Sequence, residues 1–184
     1  MASLGEFSKR WRVRAGYPVA LVCFWAARPV PKWLAIGAGI AVCGLVLRAA
    51  AAGYLRKHEQ LSTSGPYAHT RNPLYLGSTL LAAAFAAASH SLIVAVILAA
   101  YFAVFYPAVM REEEQELRAR YGAAFDAYAA RVPLFWLRLS PAGVLHDAGT
   151  RFSWAVYRRN REYQAVLGFL AVIALLWLRM RWRG

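Results

Sequence analysis

The sequence predicts an all-α, polytopic membrane protein with about five membrane helices. Of its 184 residues, 60% are hydrophobic and 17% are charged, whereas a soluble domain has about 25% charged residues. The mean hydropathy is +0.37. The 22 lysines and arginines, against 9 acidic residues, give a net charge of +13, and most of these cations flank apolar runs. Because cations beside apolar runs match phospholipid head groups, this pattern favours membrane lipids over nucleic acid as the partner.

Five apolar runs account for the predicted membrane helices, which need about 20 residues each to cross a bilayer. The first is short and is followed by two prolines, which predicts a tight hairpin with the second. The second is rich in small residues that suit close helix packing, and Arg48 interrupts it near its end. Only Ser89-His90-Ser91 separates the third from the fourth, so these two form another hairpin. The runs are residues 17–27, 33–55, 74–88, 92–110 and 166–178.

The chain after Met110 becomes charged but keeps apolar residues at helical spacing up to Tyr128. This predicts that the fourth helix continues out of the bilayer until Pro133 stops it. Residues 141–150 form a loop, and residues 151–163 are basic and aromatic, as in an interfacial segment. The run at 166–178 either crosses the membrane or dips in and returns, and a fifth, short membrane helix is the favoured interpretation.

The distribution of lysine and arginine orients these helices. Residues 1–14 and the connection 56–73 are basic, whereas the turn 89–91 carries no charge. With four spans, the N-terminus, this connection and everything from Arg111 onward are predicted to be cytoplasmic. If residues 166–178 also cross, the three arginines at the end of the chain lie on the other side, against this charge rule. No small-residue cleavage site follows the first run, so the basic arm is read as retained and not as a signal peptide. The Ala- and Arg-rich composition predicts a bacterial inner membrane.

One domain is expected over residues 1–184, in three parts: an N-terminal hairpin (1–60), a core (61–133) and a C-terminal segment (134–184). The oligomeric state stays open. Cys23 and Cys43 lie in apolar runs and are interpreted as packing residues. The histidines are scattered without ligand spacing, so no metal site is predicted; they are His58, His69, His90 and His146.

The first polar cluster, residues 64–77, precedes the third helix. Gly65-Pro66 predicts a turn, and Pro73 suits the first turn of a helix, with Asn72 as its N-cap. Such a helix start directs free N–H groups and a positive dipole end at a ligand. Arg71 stands beside it. Together with three aromatic rings, these features suit a ligand with a carboxylate and a flat ring; the rings belong to Tyr67, His69 and Tyr75.

The second polar cluster, residues 111–117, reads Arg-Glu-Glu-Glu-Gln-Glu-Leu. Its four acids repel one another unless a cation or hydrogen-bond donors share the site. Taken alone, this run indicates a solvated turn beyond the lipid. Likewise, an isolated Arg-Asn-Pro indicates a helix cap with an arginine facing lipid head groups.

The ordered combination of the two clusters resembles the isoprenylcysteine carboxyl methyltransferase and phospholipid N-methyltransferase superfamily of integral membrane enzymes. The resemblance covers residues 61–133 and rests on Gly-Pro-Tyr-x-x-x-Arg-Asn-Pro-x-Tyr-x-Gly, an apolar hairpin, Glu-Glu-x-x-Leu, Tyr121-Gly122, Phe125, Tyr128 and Arg131-Val132-Pro133. Two positions depart from it. Many members have His where this chain has Asn72, and often Tyr at His69. Asn still caps and donates, so the change puts in doubt only proton transfer at position 72.

The resemblance implies methyl transfer from S-adenosylmethionine, leaving S-adenosylhomocysteine, to a lipid or lipophilic acceptor at the cytoplasmic face. A cofactor pocket is expected at the hairpin of the third and fourth helices. By position, the implied cofactor contacts are Gly65, Pro66, Tyr67, His69, Arg71, Asn72, Pro73, Tyr75, Gly77, Glu113, Glu114 and Tyr128.

The catalytic candidates depend on the acceptor. A carboxylate acceptor is already nucleophilic, and Arg131 would orient it. An amine acceptor must lose a proton, for which Glu114 and His69 are the candidate bases. Residues 158–163 either roof the pocket or anchor the chain on anionic lipid.

Two other functions stay open. A membrane reductase of the sterol reductase type has a similar helical hairpin but must bind NADPH, and Glu113-Glu114 is a poor neighbour for its 2′-phosphate. The other is a non-catalytic membrane scaffold. The acceptor is open among isoprenylcysteine carboxylate, phosphatidylethanolamine and a small lipophilic molecule, and the bacterial composition favours a lipid or a small lipophilic molecule.

Overall fold

A computed structural model describes residues 4–57, 59–142 and 151–183, with side chains from residue 11 to residue 182 within these ranges. His58 and His146 lie outside the described residues. All regular secondary structure in the described residues is helical, without strands, which confirms the all-α prediction. Its elements are α1 (Leu4–Ala26), α2 (Pro31–Tyr54), a 3₁₀ turn (Gly65–Ala68), α3 (Pro73–Ser89), α4 (Leu92–Tyr121), α5 (Ala123–Ala129), α6 (Trp154–Arg159) and α7 (Tyr163–Arg183).

Three of the described helices, α2, α4 and α7, are long and apolar enough to cross a membrane. At 1.5 Å per residue, α2 is about 36 Å long and α7 about 31 Å, against a hydrocarbon core of about 30 Å. Helix α3 is apolar but has only 17 residues, and α1 carries several cations in its first half. The expected count of five membrane helices therefore stays a prediction.

Helices α2 and α3 approach each other most closely, because glycines of α2 face the backbone of α3. A Cβ atom added at Gly37 would lie 2.6 Å from the Ala84 carbonyl oxygen, and one added at Gly44 would lie 3.0 Å from that of Gly77. Any larger side chain at these two positions would push the helices apart. The small residues of the second apolar run thus set the helix spacing.

The two helical hairpins are joined at one end of the bundle. The backbone N–H of Arg28, between α1 and α2, donates to the carbonyl of Ser89, at the end of α3, at 2.7 Å. Helix α1 also packs against α4, where the Tyr101 hydroxyl donates to the Arg12 carbonyl at 2.7 Å. The turns α1–α2 and α3–α4 therefore share one end, and the polar clusters share the opposite end.

Helix α7 runs antiparallel to α2 over its whole length. Before it starts, the Asn160 amide donates to the Ala52 and Leu55 carbonyls at the C-terminal end of α2, at 2.8 and 2.9 Å. Near its other end, Arg179 Nε donates to the Ala27 carbonyl at 3.0 Å. These contacts at both ends show that α7 does not turn back halfway along the bundle.

The fourth helix extends beyond the apolar run, as predicted, but it ends earlier than Pro133. Gly122 interrupts it with a left-handed φ of 52°, and α5 then ends at Ala129. At 30 residues, α4 is about 45 Å long, so about 15 Å of it extends past a 30 Å hydrocarbon layer.

Residues 133–142, called the strap here, lie along residues 68–72. Backbone N–H groups donate between the two segments at 2.9–3.0 Å, from Arg71 to Pro133, from Arg138 to His69 and from Ala142 to Ala68. Phe125, Tyr128, Val132 and Ala142 form a small buried core beneath the strap. The strap thus holds the first polar cluster against α5.

Candidate functional site

A cavity of about 1060 Å³ lies at the end of the bundle that carries both polar clusters. Its walls come from the first turns of α3, the extension of α4, α5 and the ends of α1 and α2. Many of the predicted site residues line it, namely Tyr67, Arg71, Asn72, Pro73, Tyr75, Glu113, Glu114 and Tyr128.

Two contacts join the first polar cluster to the second across this cavity. Arg71 Nη1 forms an ion pair with Glu114 Oε1, and the two side chains are only 16% and 19% exposed. One turn along α3, the Tyr75 hydroxyl donates to Glu113 Oε1 at 2.7 Å. Glu113 and Glu114 are therefore not part of a solvated run, because a cation and a hydroxyl donor share their site, whereas Glu116 is exposed.

The start of α3 faces the cavity without a side-chain cap. Pro73 occupies the first turn and Asn72 the N-cap position, but no side chain accepts from the first N–H groups. The Asn72 amide instead donates to the Leu134 carbonyl at 3.0 Å. Asn72 is therefore the N-cap residue, as predicted, but its side chain forms no capping hydrogen bond with α3 and binds the strap instead. The helix start keeps uncapped N–H groups beside a cavity lined by Leu74 and Tyr75.

The neighbours of Arg71 hold the strap. His69 Nδ1 lies 2.9 Å from the Arg138 carbonyl, and a carbonyl oxygen only accepts, so Nδ1 carries the proton. The Thr70 hydroxyl donates to the Phe135 carbonyl at 3.0 Å. In this tautomer Nε2 is the ring nitrogen that can accept a proton, but His69 is outside the cavity lining.

Tyr67 and Tyr128 form the floor of the cavity. The Tyr128 hydroxyl donates to the Tyr67 carbonyl at 2.7 Å, and both side chains are buried. Burial raises the pKa of Tyr128 and of Tyr67 well above the ordinary value of a phenol, and at Tyr67 the neighbouring Tyr128 and Glu113 raise it further. Both phenols are therefore neutral hydrogen-bonding groups and not bases.

The remaining predicted residues lie outside the cavity lining. Gly65 has a left-handed φ of 59° and packs against the Tyr54 ring, where a Cβ atom would lie 2.7 Å from a ring carbon. Pro66 follows it in the 3₁₀ turn. Gly77 faces the side chain of Arg48. Arg131 is exposed, and its carbonyl accepts from Arg138 Nη1.

Three residues that the sequence reasoning left out also line the cavity: Arg12, Arg48 and Tyr106. The Arg12 guanidinium carbon lies 5.8 Å from the centre of the Tyr75 ring, and the Tyr106 ring meets Tyr75 edge to face at 5.2 Å. Arg48 carried a usable signal, since an arginine inside an apolar helix is costly and marks a functional or paired position. Nothing in the sequence distinguished Arg12 in this way, because it is one of several cations in a basic N-terminal arm.

Comparison with protein families tests the resemblance that the two polar clusters suggest. Residues 34–124 match the family model described as phospholipid methyltransferase. This part of the chain belongs to that family. The match runs from α2 to the start of α5 and includes both polar clusters, so it confirms the resemblance to the integral membrane methyltransferases.

Two curated relatives carry names that refer to metal resistance. The chain is 36% identical over 140 residues to the cobalt-zinc-cadmium resistance protein CzcN of Cupriavidus metallidurans, which covers 71% of this chain and 63% of the relative. It is 44% identical over 85 residues to the nickel-cobalt-cadmium resistance protein NccN of Alcaligenes xylosoxydans xylosoxydans, or 46% of this chain and 39% of the relative. The chain thus spans less than two thirds of the length of either relative. No solved structure matches the chain.

Among the residues that the structure describes, no group of three or more histidine, cysteine or acidic side chains is arranged to hold a metal ion. Cys23 is buried, Cys43 is exposed, and neither forms a disulfide.

Proposed function

We propose that the protein transfers a methyl group from S-adenosylmethionine to a lipid or lipophilic acceptor at the cytoplasmic end of its helices. The observation that carries the proposal is the pairing of the two polar clusters across one cavity, Arg71 with Glu114 and Tyr75 with Glu113. Both clusters lie within the segment that belongs to the phospholipid methyltransferase family.

The polar groups of the cavity fit the amino-acid end of S-adenosylmethionine. Arg71 Nε is buried and has no hydrogen-bond partner among the described residues, and the start of α3 has no side-chain cap. Both are donors that suit a carboxylate. Glu113 and Glu114 suit an ammonium group or ribose hydroxyls. A ligand with both charges would replace the Arg71–Glu114 pair with one contact to each partner, so no buried charge is left unpaired.

The aromatic side chains of the same wall suit the rest of the ligand. Tyr75 and Tyr106 line the cavity together, and a ring face attracts a cation such as a sulfonium and stacks on a flat base. Tyr75 already holds Arg12 at 5.8 Å from its ring centre, which shows that a cation can approach this ring.

Bound S-adenosylmethionine supplies a methyl group that an acceptor atom attacks in line with the bond to sulfur. The protein then has to align the acceptor and exclude water. A carboxylate acceptor needs no base, whereas an amine acceptor must release a proton. Of the two candidate bases, Glu114 lines the cavity and His69 does not. Arg131, the candidate for orienting a carboxylate acceptor, also lies outside the lining.

We place the cavity on the cytoplasmic side of a bacterial inner membrane and count α1, α2, α3, α4 and α7 as membrane helices. The support is the charge distribution, since cytoplasmic connections carry more lysine and arginine. The cavity end bears Arg12, Arg14, Arg56, Lys57, Arg71, Arg118 and Arg120, and the opposite end bears Arg28, Lys32, Arg179 and Arg181.

The first test is calorimetric titration of the purified full chain in detergent with S-adenosylhomocysteine, together with a thermal-shift series. We expect saturable binding and a higher melting temperature, since a ligand that binds only the folded state stabilises it. A folded wild-type protein that does not bind would contradict the proposal. Stabilisation by NADPH, without any effect of S-adenosylhomocysteine, would select the reductase instead.

The second test identifies the acceptor. Lipid extracts are incubated with the protein and methyl-labelled S-adenosylmethionine, and the labelled products are analysed by mass spectrometry before and after alkaline treatment. A methyl ester is lost in alkali, whereas a methylated amine is retained.

A third test, in cells, distinguishes an enzyme from a non-catalytic scaffold. If the chain supports metal tolerance, as the names of its relatives state for those proteins, Arg71→Ala and Glu113→Ala abolish tolerance in an enzyme and preserve it in a scaffold.

A further inference from the structure

Arg48 lies inside α2, and every nitrogen of its guanidinium group donates a hydrogen bond. Nε and Nη2 donate to the two carboxylate oxygens of Glu162 at 3.0 and 2.8 Å. Nη1 donates to the Leu74 carbonyl at 3.2 Å and to Ser78 Oγ at 2.5 Å. A single charged group therefore joins α2, α3 and the residue just before α7.

Arg48 reaches these partners by crossing α3 at Gly77. A Cβ atom at residue 77 would lie 2.5 Å from Arg48 Cγ, so glycine leaves the space that the arginine occupies. The contacted groups belong to the first turns of α3, with Tyr75 between them. Because Arg48 binds this part of α3, it fixes the helix start and the Tyr75 ring that line the cavity.

Glu162 is presented by a connector that is itself firmly held. The preceding Asn160 binds the Ala52 and Leu55 carbonyls at the end of α2. Arg161 adopts a left-handed φ of 56°, which is uncommon for a residue with a side chain and persists only where the surroundings determine it. The bend at Arg161 lies directly before Glu162, between the Asn160 anchor and the start of α7.

The ion pair with Glu162 also determines which carboxylate neutralises Arg48. The Arg48 and Glu162 side chains are only 20% and 12% exposed. An unpaired charge with so little solvation is costly, so an arginine that loses its partner pairs with another anion. Arg48 lines the cavity, and so do Glu113 and Glu114. Without Glu162, Arg48 would therefore compete for the carboxylates that the cavity offers to a ligand.

We propose that Glu162 is a positioning residue for the ligand cavity. It holds Arg48 on the first turns of α3 and keeps Glu113 and Glu114 available. Residue 162 lies outside the family match at 34–124, so the proposal assigns a part in ligand binding to a segment that the family model does not cover. It rests on the proposed function through the choice of S-adenosylhomocysteine as the probe.

The test measures S-adenosylhomocysteine affinity and melting temperature of full-length variants in detergent. Glu162→Gln is expected to weaken binding roughly tenfold, because small displacements of binding groups have effects of this order or larger. Arg159→Ala is the control. It breaks the exposed pair of Arg159 with Glu59, at 2.7 Å on the same segment, and is expected to bind like the wild type. Equal affinity of Glu162→Gln and wild type overturns the proposal.

The double variant Arg48→Glu, Glu162→Arg separates positioning from simple stapling of helices. It restores an ion pair between α2 and the connector, but a glutamate at residue 48 does not donate to the Leu74 carbonyl. We expect the melting temperature to recover while binding stays weak, and recovery of both overturns the proposal.

Ser78→Ala serves if the ion-pair variants fail to fold, since it removes one contact of Arg48 and keeps the ion pair. It is expected to weaken binding severalfold, and unchanged binding overturns the proposal. Failure of the wild type to bind S-adenosylhomocysteine would instead contradict the proposed function. The two ideas therefore fail in different measurements.

Discussion

Four consecutive residues before α3 divide their side chains between two tasks. His69, Thr70 and Asn72 bind carbonyls of the strap, whereas Arg71 pairs with Glu114 in the wall of the cavity. Removing the side chain of His69, Thr70 or Asn72 leaves a strap carbonyl without its donor, so the main effect is a loss of stability. Removing Arg71 leaves a poorly solvated carboxylate unpaired and takes away an anion-binding group.

We predict that Arg71→Ala weakens S-adenosylhomocysteine binding at least roughly tenfold, because a charge-assisted hydrogen bond contributes about 1.5–3 kcal/mol. Arg118→Ala is the matched control. Arg118 also forms an ion pair, with Asp126 at 2.7 Å, but both side chains are 56% exposed and neither lines the cavity. Calorimetry on both variants checks the prediction, and wild-type affinity in a folded Arg71→Ala variant would contradict it.

The buried phenol of Tyr128 predicts a pH dependence of stability. Burial raises its pKa above the ordinary 10.0, so the folded state retains the proton while the unfolded state loses it. The stabilising contribution is therefore complete below pH 10.0 and is lost as the pH rises further. Tyr128→Phe cannot ionise and should show a shallower alkaline loss of melting temperature. At neutral pH it should be less stable by about 1 kcal/mol, from the lost bond to Tyr67.

Melting curves of both proteins between roughly pH 8 and 11 check this prediction. The comparison of slopes, and not of absolute melting temperatures, isolates the ionisation of residue 128. Identical slopes would show that the Tyr128 phenol ionises equally in the two states.

At the scale of elements, the distance between α2 and α3 depends on which glycines face the partner helix. Gly37 meets α3, where an added Cβ atom would lie 2.6 Å from the Ala84 carbonyl oxygen and 2.7 Å from Ala88 Cβ. Gly39, half a turn away, has nothing within 4 Å of that position. The same residue type in the same helix therefore has a packing role at one position and none at the other.

We predict that Gly37→Ala lowers the melting temperature by several degrees, because overpacking costs about 1–3 kcal/mol. Gly39→Ala should leave it unchanged or raise it slightly, since alanine favours the helix by about 1 kcal/mol over glycine. Thermal melts of the two variants in one detergent provide the comparison. Equal melting temperatures would indicate that α2 and α3 are not in close contact.

At the scale of the whole molecule, α7 runs from the cavity end of the bundle to the opposite end. Its start is tied to the cavity end by Glu162 and Arg48, and Arg179 binds carbonyls at the end of α1 on the opposite side. The three arginines after Leu178 therefore lie at the less basic end of the bundle, although connections on the cytoplasmic side usually carry the excess of lysine and arginine. The contacts of Arg179 account for one of them, because a guanidinium group suits the free carbonyls of a helix end.

We predict that residue 181 and residue 57 lie on opposite sides of the membrane. In a background with Cys23→Ala and Cys43→Ala, Arg181→Cys should react with a membrane-impermeant thiol reagent in intact spheroplasts. Lys57→Cys should react only after permeabilisation. Labelling of both positions under the same condition would mean that α7 does not cross.

Much of the architecture was predictable from the sequence. Apolar length, the short turn at Ser89–Ser91 and the prolines after Arg28 determine the helices and their hairpins, because each is a local property of a few neighbouring residues. The same hairpin geometry brings the two polar clusters to one end, and their residues pair there as Arg71–Glu114 and Tyr75–Glu113.

Only the tertiary structure decided which partner each polar side chain binds. Arg48 and Glu162 are 114 residues apart, and Asn72 and Leu134 are 62 apart, so no local pattern links them. The sequence predicts that Pro133 ends a helix, but α5 ends at Ala129. The chain from Pro133 forms the strap, and its Leu134 carbonyl binds the Asn72 side chain. The physical reason is that a buried donor binds whichever carbonyl the packed chain places within reach, and that depends on the fold as a whole.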